Sequence, residues 1–186
     1  YSLAYIFGIL FGWIYCKKKL IKNENISKLF DDLITYLIIG IIVGGRIGYI
    51  IFYNFNYYLE NPMEIFMIWN GGMSFHGGLV GVMVAVWLYG RKLGHDFWVM
   101  TDFVAPLVPL GLGFGRIGNF INGELWGKPT EMPWGFIVNG VSLHPSQLYE
   151  ALLEGFILFW IMWMYSQIKR PKMAVSGLFL MGYGLF

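Results

Sequence analysis

Four polar side chains stand close together between residues 116 and 124 of an otherwise apolar sequence. Arg116 supplies a cation whose planar donor fork suits phosphate oxygens, and Glu124 supplies a carboxylate. Two amides, Asn119 and Asn122, lie between them. Such groups are costly to desolvate unless they pair with one another or with a polar ligand. The segment therefore indicates a ligand site, and the alternative is a structural ion pair between Arg116 and Glu124.

Three histidines are candidates for proton transfer, since imidazole titrates near neutrality. His76 lies among glycines that leave room for a ligand, in the segment from Asn70 to Gly78. A lone histidine beside an apolar helix is usually a hydrogen-bonded structural residue, and that alternative stays open. His144 precedes Pro145, so a role in starting a helix is as plausible as a catalytic one. His95 lies beside basic residues and is expected in a solvated loop.

Composition predicts the environment of this site. The sequence is 57% hydrophobic and only 13% charged, which is far more apolar than a soluble domain of 186 residues requires. We therefore expect an all-α, polytopic membrane protein. The net charge of +2 gives no reason to expect a nucleic-acid partner. The single Cys16 excludes a disulfide within the chain and a zinc site built on several cysteines.

Apolar runs predict about six transmembrane segments in a single helical domain covering residues 1–186. Pro106 and Pro109 should kink the fourth run. Outer-side loops are expected near 54–75 and 118–147. The last run is too short to span a bilayer core of about 30 Å, so we expect the chain to be truncated there. The runs are Ser2 to Tyr15, Leu33 to Tyr53, Met73 to Tyr89, Phe97 into the Arg116 segment, Leu148 to Ile168, and Met173 to Phe186.

Positive charges predict the orientation of these segments. Arg46, Arg116 and Lys128 would lie toward the outer side, where they need a functional or pairing explanation. The other ten of the thirteen Lys and Arg residues fall in alternate loops, which should be cytoplasmic. These ten are Lys17, Lys18, Lys19, Lys22, Lys28, Arg91, Lys92, Lys169, Arg170 and Lys172.

Small residues recur at four-residue spacing, and we expect them to let helix backbones approach closely in lipid. A tetrapeptide, Gly-Arg-Ile-Gly, occurs at both Arg46 and Arg116, but it is too short to indicate duplication. The small residues are Gly40, Gly44 and Gly48; Gly77, Gly81 and Ala85; and Gly111 and Gly115.

Four segments together resemble the signature segments of bacterial prolipoprotein diacylglyceryl transferases, in the same order and across nearly the whole chain. The segment from Arg116 to Glu124 is the most specific of them. The family carries another essential Arg and a seventh helix after a sequence like the one that ends at Phe186, and both are absent here. The four segments are Gly44 to Tyr49, Gly71 to Gly81, Gly115 to Gly127, and His144 to Glu150.

The resemblance implies a seven-helix, multi-pass enzyme of the bacterial inner (cytoplasmic) membrane, with its active site toward the periplasmic or outer side. It implies transfer of a diacylglyceryl group from phosphatidylglycerol, a membrane lipid, to the lipobox cysteine in the signal peptide of a preprolipoprotein. Glycerol 1-phosphate would be released. No cofactor is expected, and the sequence shows no cluster of metal ligands.

That reaction assigns roles to the polar residues. Arg116 would stabilise the departing phosphate, His76 would assist deprotonation of the thiol, and Arg46 would be a second cation or structural support. The amides and Glu124 would orient the headgroup or the arginine. The expected catalytic residues are His76, Arg116 and Glu124, and Arg46, Asn119 and Asn122 are expected to bind substrate. The resemblance implies further substrate-binding positions at Tyr1, Asp102, Gly127 and Tyr149.

Other functions were weighed on the same residues. A membrane phospholipid-binding or transport protein without catalysis would also place arginines at membrane depth, but it would not release glycerol phosphate. A transferase that uses a CDP-alcohol would need a row of metal-binding aspartates on one helix, which the sequence lacks. A purely structural membrane subunit would not need so many polar residues on the outer side.

Overall fold

The computed structural model describes Leu10 and residues 24–186, with side chains described for Leu10 and residues 31–186. The predicted first span, apart from Leu10, and the basic cluster 17–22 lie outside the described residues. The described chain is mostly helical, as predicted. It divides into two compact units, one within Ile21–Met100 and one that includes Thr101–Phe186. The predicted single domain therefore stays a prediction.

The secondary structure alternates long helices with short, irregular connections. In chain order it consists of α1 (Glu24–Tyr53), α2 (Phe55–Glu60), 3-10 turns at Pro62–Phe66 and Ile68–Asn70, α3 (Phe75–Leu93), α4 (Phe97–Val104), a 3-10 turn at Ala105–Leu107, α5 (Val108–Ile121), β1 (Phe136–Val138), β2 (Val141–Leu143), α6 (Ser146–Glu150), a π-helical segment at Ala151–Ile157, α7 (Leu158–Ser166) and α8 (Ala174–Leu185).

Three helical stretches of the described chain are long and apolar enough to cross a membrane, namely Asp31–Tyr53, Phe97–Ile121 and Ser146–Ser166. Helix α3 covers the predicted third run with 19 residues, and α8 has 12. Many large apolar side chains on these helices are exposed, which suits contact with lipid. A helical membrane protein is therefore confirmed, whereas the count of six segments stays a prediction.

In the first unit, α1 and α3 pack with their backbones in close approach. A Cβ added at Gly48 would lie 2.6 Å from Cα of Gly77, and one added at Gly40 would lie 2.9 Å from Cβ of Ala85. The predicted role of these small residues is confirmed. The two helices are antiparallel, since the Ser74 amide donates to the carbonyl of Gly45 at one end, and Lys92 lies 4.0 Å from Asp32 at the other.

The same prediction for Gly111 and Gly115 in α5 meets no contact among the described residues, so it stays a prediction. A Cβ added at either would meet no described atom within 4 Å. Gly113 makes the close approach instead, because it lies on a different face of the helix. A Cβ added there would lie 3.0 Å from Cα of Gly155, so small residues still set the distance between α5 and the π-helical segment.

Prolines interrupt the predicted fourth run, as expected. Helix α4 ends at Val104, Pro106 lies in the 3-10 turn, and Pro109 lies in the first turn of α5. The core of this unit lies nearby: Ala105, Leu158, Met162 and Val175 are buried together, with Tyr165, Leu178 and Phe179 packed against them. The interruption thus lies against the best-packed part of the unit.

A two-stranded antiparallel hairpin, β1 and β2, lies within the long segment between α5 and α6. The all-α prediction did not include it. Its turn residues, Asn139 and Gly140, have positive φ angles of 51° and 82°, the conformation that Asn-Gly favours in tight hairpins. The signal was therefore present in Val138-Asn139-Gly140-Val141. Edge-to-face and tilted ring contacts among Phe120, Trp126 and Phe136 pack the hairpin against the end of α5.

Candidate active site

Arg116 projects from α5 into a cluster with two carboxylates of the following membrane helix. Its Nε lies 2.8 Å from Oε2 of Glu150, and its Nη2 lies 3.4 Å from Oε2 of Glu154. Glu154 is buried, whereas Arg116 and Glu150 are partly exposed. The alternative predicted an ion pair of Arg116 with Glu124. Arg116 does form ion pairs, but its partners are Glu150 and Glu154.

The two glutamates reach one guanidinium because of their spacing and the local helix form. Residues four apart lie on one helix face, and the π-helical segment Ala151–Ile157 begins directly after Glu150. Its Gly155 permits the close approach to Gly113 on α5. Sequence reasoning missed both glutamates, although they are the only charged residues between Leu148 and Ile168. Acids inside an apolar span are a signal for function.

The cluster holds one positive and two negative formal charges. Both carboxylates contact the guanidinium through Nε and Nη2, and Nη1 makes no hydrogen bond to any described side chain or carbonyl. An arginine has five donors in a planar fork, so the Nη1 side keeps capacity for a phosphate oxygen. The carboxylates meanwhile fix the orientation of the fork, which is the preorganisation that an electrostatic catalyst needs.

The predicted amides and Glu124 lie at the end of α5. Asn119 is buried, and its backbone carbonyl accepts a hydrogen bond of 2.9 Å from the backbone amide of Glu124. The backbone carbonyl of Glu124 accepts from Nε2 of the buried Gln147. The side chains of Asn122 and Glu124 are exposed. The structure therefore brings Asn119 and the backbone of Glu124 toward α6, while the roles of both side chains in binding stay predictions.

Gly127 lies where the chain returns to α6. Its amide donates to the carbonyl of His144 at 2.9 Å, and a Cβ added there would lie 3.0 Å from both Cβ and the carbonyl oxygen of His144. The hydroxyl of Ser146 donates to the carbonyl of Leu125 at 2.9 Å. A glycine is thus required by close contact, and this contact holds the segment 123–127 against the start of α6.

Tyr149 of α6 forms hydrogen-bond contacts with two other side chains, Trp134 and His144. Its hydroxyl accepts a hydrogen bond of 2.8 Å from Nε1 of Trp134 and lies 3.1 Å from Nδ1 of His144. Since the hydroxyl already accepts from the indole, its own proton is available for Nδ1 when that nitrogen is unprotonated. The contacts join the hairpin region to α6 immediately beside Glu150.

Arg46 occupies a very different environment in the first unit. It is only 4% exposed, and its guanidinium lies 5.1 Å from the ring centre of Tyr58. Among the described residues, its hydrogen bonds all go to backbone carbonyls. These carbonyls form a cage around the guanidinium and belong to the segment that connects α1 to α3. Because Arg46 itself lies on α1, the hydrogen bonds fasten this segment to the helix, which favours a structural role for Arg46. The acceptors are Glu64 at 2.5 Å, Gly71 at 2.6 Å, Ile65 at 2.9 Å, Met67 at 3.2 Å and Gly72 at 3.3 Å.

The carboxylate of Glu64 stays outside this cage. It accepts a hydrogen bond of 2.9 Å from the hydroxyl of Tyr57, and this bond raises the pKa of Tyr57 above its ordinary value. In the described part of the chain, Arg46 therefore binds neutral backbone carbonyls, whereas Arg116 binds charged carboxylates. The two arginines share a local sequence but not an environment.

His76 is the second residue of α3, after Ser74, whose hydroxyl caps the helix by accepting from the amide of Gly77 at 3.2 Å. Its imidazole is exposed, its ring centre lies 5.7 Å from that of Phe75, and it makes no hydrogen bond to the described residues. The alternative of a hydrogen-bonded structural histidine is therefore not favoured. His76 and Arg46 belong to the first unit.

Asp102 makes no hydrogen bond or ion pair with Arg116 in the described chain. Its Oδ1 accepts hydrogen bonds from the amide of Ser176 at 2.8 Å and from its hydroxyl at 2.6 Å, so it binds the first turn of α8. Tyr1 lies outside the described residues. Within the described chain, no group of three or more His, Cys, Asp or Glu side chains is placed to hold a metal ion.

Comparison with known proteins gives a consistent result along the entire chain. The family model for prolipoprotein diacylglyceryl transferase matches residues 1–186. The phosphatidylglycerol--prolipoprotein diacylglyceryl transferase of Nitratidesulfovibrio vulgaris strain DP4 is 55% identical over 191 residues, which cover 100% of this chain and 73% of that protein. The enzymes of the same name from Nitrosospira multiformis and Methylococcus capsulatus are 55% and 52% identical, with 100% of this chain aligned to 66% and 73% of their lengths. The chain belongs to the prolipoprotein diacylglyceryl transferase family.

Proposed function

We propose that this protein transfers the diacylglyceryl group of phosphatidylglycerol to the lipobox cysteine of a prolipoprotein. Family membership and the names of relatives at 50–55% identity support this transferase activity. In the reaction, the cysteine sulfur forms a bond to the sn-3 carbon of the diacylglyceryl group as the bond from that carbon to the phosphate oxygen breaks. The electron pair leaves with glycerol 1-phosphate, and the thiol proton passes to a base.

The observation that carries the proposal is the oriented guanidinium of Arg116. The leaving phosphate develops negative charge, and a preorganised donor in a site of low dielectric stabilises such charge strongly. Glu150 and Glu154 hold the Nε and Nη2 positions of the guanidinium. Arg116 would then bind the phosphate through the Nη1 side of its fork, while the carboxylates prevent the side chain from rotating away.

His76 is proposed as the base that accepts the thiol proton. The lone-pair nitrogen of an imidazole can accept the proton that the thiol loses when its sulfur attacks carbon. The exposed ring at the start of α3 is accessible to an incoming peptide. Glu124, with the amides of Asn119 and Asn122, is proposed to orient the glycerol headgroup, and Tyr1, Gly127 and Tyr149 to line the substrate site.

Arg46 and Asp102 are proposed to act on substrate only indirectly. For Arg46 to serve as a second cation, it would have to release carbonyls that hold the connection between α1 and α3. Asp102 similarly holds the first turn of α8. Each residue therefore holds a neighbouring segment of its own unit in place.

The proposed location is the bacterial inner membrane, with the site toward the outer side. The distribution of Lys and Arg supports this orientation, because basic residues at 91–92 and 169–172 mark the cytoplasmic ends. Within the first unit, Arg46 and Ser74 lie at the end of the helix pair opposite to Lys92 and Asp32. This arrangement supports a position for His76 away from the cytoplasm.

Transfer and simple lipid binding are distinguished by their products. The complete gene product, in vesicles containing phosphatidylglycerol, is incubated with a lipobox peptide, and both released glycerol phosphate and the mass of the peptide are measured. We expect equal amounts of glycerol phosphate and of peptide carrying a diacylglyceryl thioether, and neither with a peptide in which the cysteine is serine. Lipid binding without either product would favour a lipid-binding or transport protein.

A further inference from the structure

Gln147 is a buried polar residue that takes no part in the proposed transfer of the diacylglyceryl group. Its side chain is 0% exposed, and Nε2 donates a hydrogen bond to the backbone carbonyl of Glu124. The other end of the amide, Oε1, is buried and has no hydrogen-bond partner among the described residues. Buried acceptors without partners are rare in folded proteins, so each one calls for an explanation, and a ligand that donates a hydrogen bond is one such explanation.

The orientation of this amide is fixed by chemistry. A carbonyl oxygen only accepts hydrogen bonds, so the end of the amide that faces the carbonyl of Glu124 has to be the NH₂ group. Rotating the amide by 180° would place two acceptors against each other. The acceptor Oε1 is therefore the end that is left for another donor.

The position of Gln147 connects it to the phosphate site. Gln147 and Glu150 are three residues apart and lie on one helix face, and Glu150 contacts Nε of Arg116 at 2.8 Å. Glu154 continues the same face and contacts Nη2 of Arg116. Gln147 thus lies about one helical turn, a rise of roughly 5 Å along the helix, before the residue whose carboxylate orients the proposed phosphate ligand. The glycerol hydroxyls of phosphatidylglycerol lie at a similar distance from its phosphorus.

We propose that Oε1 of Gln147 accepts a hydrogen bond from a hydroxyl of the phosphatidylglycerol headgroup and so selects lipids that carry a hydroxyl at that position. The inference rests on the proposed function, since it places the phosphate on Arg116. A site built to bind a hydroxyl discriminates against an analogue that lacks it, because the buried acceptor is then left without a donor. Gln147 is a specificity-determining residue in this account.

The test compares two lipids in the complete gene product. Phosphatidylglycerol and phosphatidylpropanol with the same acyl chains share the phosphate and the three-carbon headgroup, and only the first has headgroup hydroxyls. Formation of the diacylglyceryl thioether on a lipobox peptide is measured with each lipid, because this product is the same for the two lipids. We expect the wild-type protein to prefer phosphatidylglycerol by about 3- to 10-fold in kcat/KM, as one neutral hydrogen bond predicts.

Two variants assign the preference to Oε1. Gln147→Met keeps the length of the side chain but removes the acceptor, so the ratio between the two lipids should fall to about one. Ser146→Ala removes the neighbouring bond to Leu125 and, as the matched control, should leave the ratio unchanged even if turnover falls.

The possible failures are distinct. A wild-type protein that forms thioether equally from both lipids, or a Gln147→Met variant that keeps the wild-type ratio, would overturn the inference while leaving the transferase function intact. A wild-type protein that forms no thioether from phosphatidylglycerol would instead contradict the proposed function. If Gln147→Met does not fold, Gln147→Leu takes its place with the same expected ratio of about one, and a Gln147→Leu variant that keeps the wild-type ratio would overturn the role of Oε1.

Discussion

Oε2 of Glu150 lies 2.8 Å from Nε of Arg116, at the junction between an ordinary helical turn and a π-helical segment. This contact leaves the Nη1 side of the guanidinium without a described partner and fixes its direction. An arginine that is held by one edge and available at another is suited to stabilise a phosphate that gains charge.

Glu150→Gln tests whether this contact positions the arginine. The amide keeps the size of the side chain but removes its charge, so we expect turnover to fall by about ten- to a hundredfold, as small misplacements of catalytic groups do. Turnover and thermal unfolding are measured together. The matched control is Glu131→Gln, since Glu131 is an exposed loop residue. This substitution should change neither turnover nor the unfolding temperature. A Glu150→Gln variant with normal turnover would show that Arg116 needs no orienting carboxylate there.

His76→Gln tests the proposed base. The glutamine retains hydrogen-bonding capacity but cannot take up the proton, so turnover should fall by about 10²- to 10⁴-fold. Thermal stability and binding of phosphatidylglycerol should stay close to those of the wild type, because the imidazole is exposed. If the variant keeps more than about a tenth of the rate, His76 is not the base.

Gly48→Ala tests the close packing of α1 and α3. The added methyl would meet the backbone of Gly77, and overpacking of this kind typically costs about 1–3 kcal/mol. We therefore expect a lower melting temperature in detergent. Gly111→Ala is the matched control within a helix: the added Cβ meets no described atom within 4 Å, so alanine should stabilise or have no effect. Equal effects of the two substitutions would argue against the backbone contact.

Labelling of single cysteines tests the orientation. In a Cys16→Ala background, cysteines replacing Lys92 and Lys172 should react with a membrane-impermeant reagent only from the cytoplasmic side. A cysteine at Lys128 should react only from the outer side. The experiment uses intact cells and inverted vesicles. Reaction of positions 92 and 128 from the same side would contradict both the topology and the outer location of the site.

Much of the helical framework could be predicted from the sequence, because its signals are local. Apolar length predicted the helices that could span a membrane, and Pro106 and Pro109 predicted the interruption between α4 and α5. The spacing of Gly40, Gly44 and Gly48 predicted a close approach of helix backbones, and the structure shows this approach with α3. Each of these follows from residues within one helix or a short connection.

The partners of the two arginines could not be read in the same way. Glu150 and Glu154 reach Arg116 only through the packing of α5 against a helix much later in the chain. The carbonyl cage of Arg46 is formed by backbone atoms of an irregular segment, and side-chain spacing does not encode their positions. The Asn139-Gly140 hairpin was a local signal that could have been used.

The most direct test of the account is the turnover of Arg116→Lys at saturating phosphatidylglycerol, compared with Arg46→Lys in the complete gene product. Lysine keeps the charge but loses the fork. We expect Arg116→Lys to remain folded and to lose about 10²-fold or more in kcat, since removing a preorganised donor costs about that much. Arg46→Lys should lower the melting temperature, because three donors replace five, with a smaller loss of turnover per folded molecule. If Arg46→Lys lowers kcat more than Arg116→Lys, or if Arg116→Lys keeps the wild-type rate, Arg116 is not the phosphate ligand and the account is contradicted.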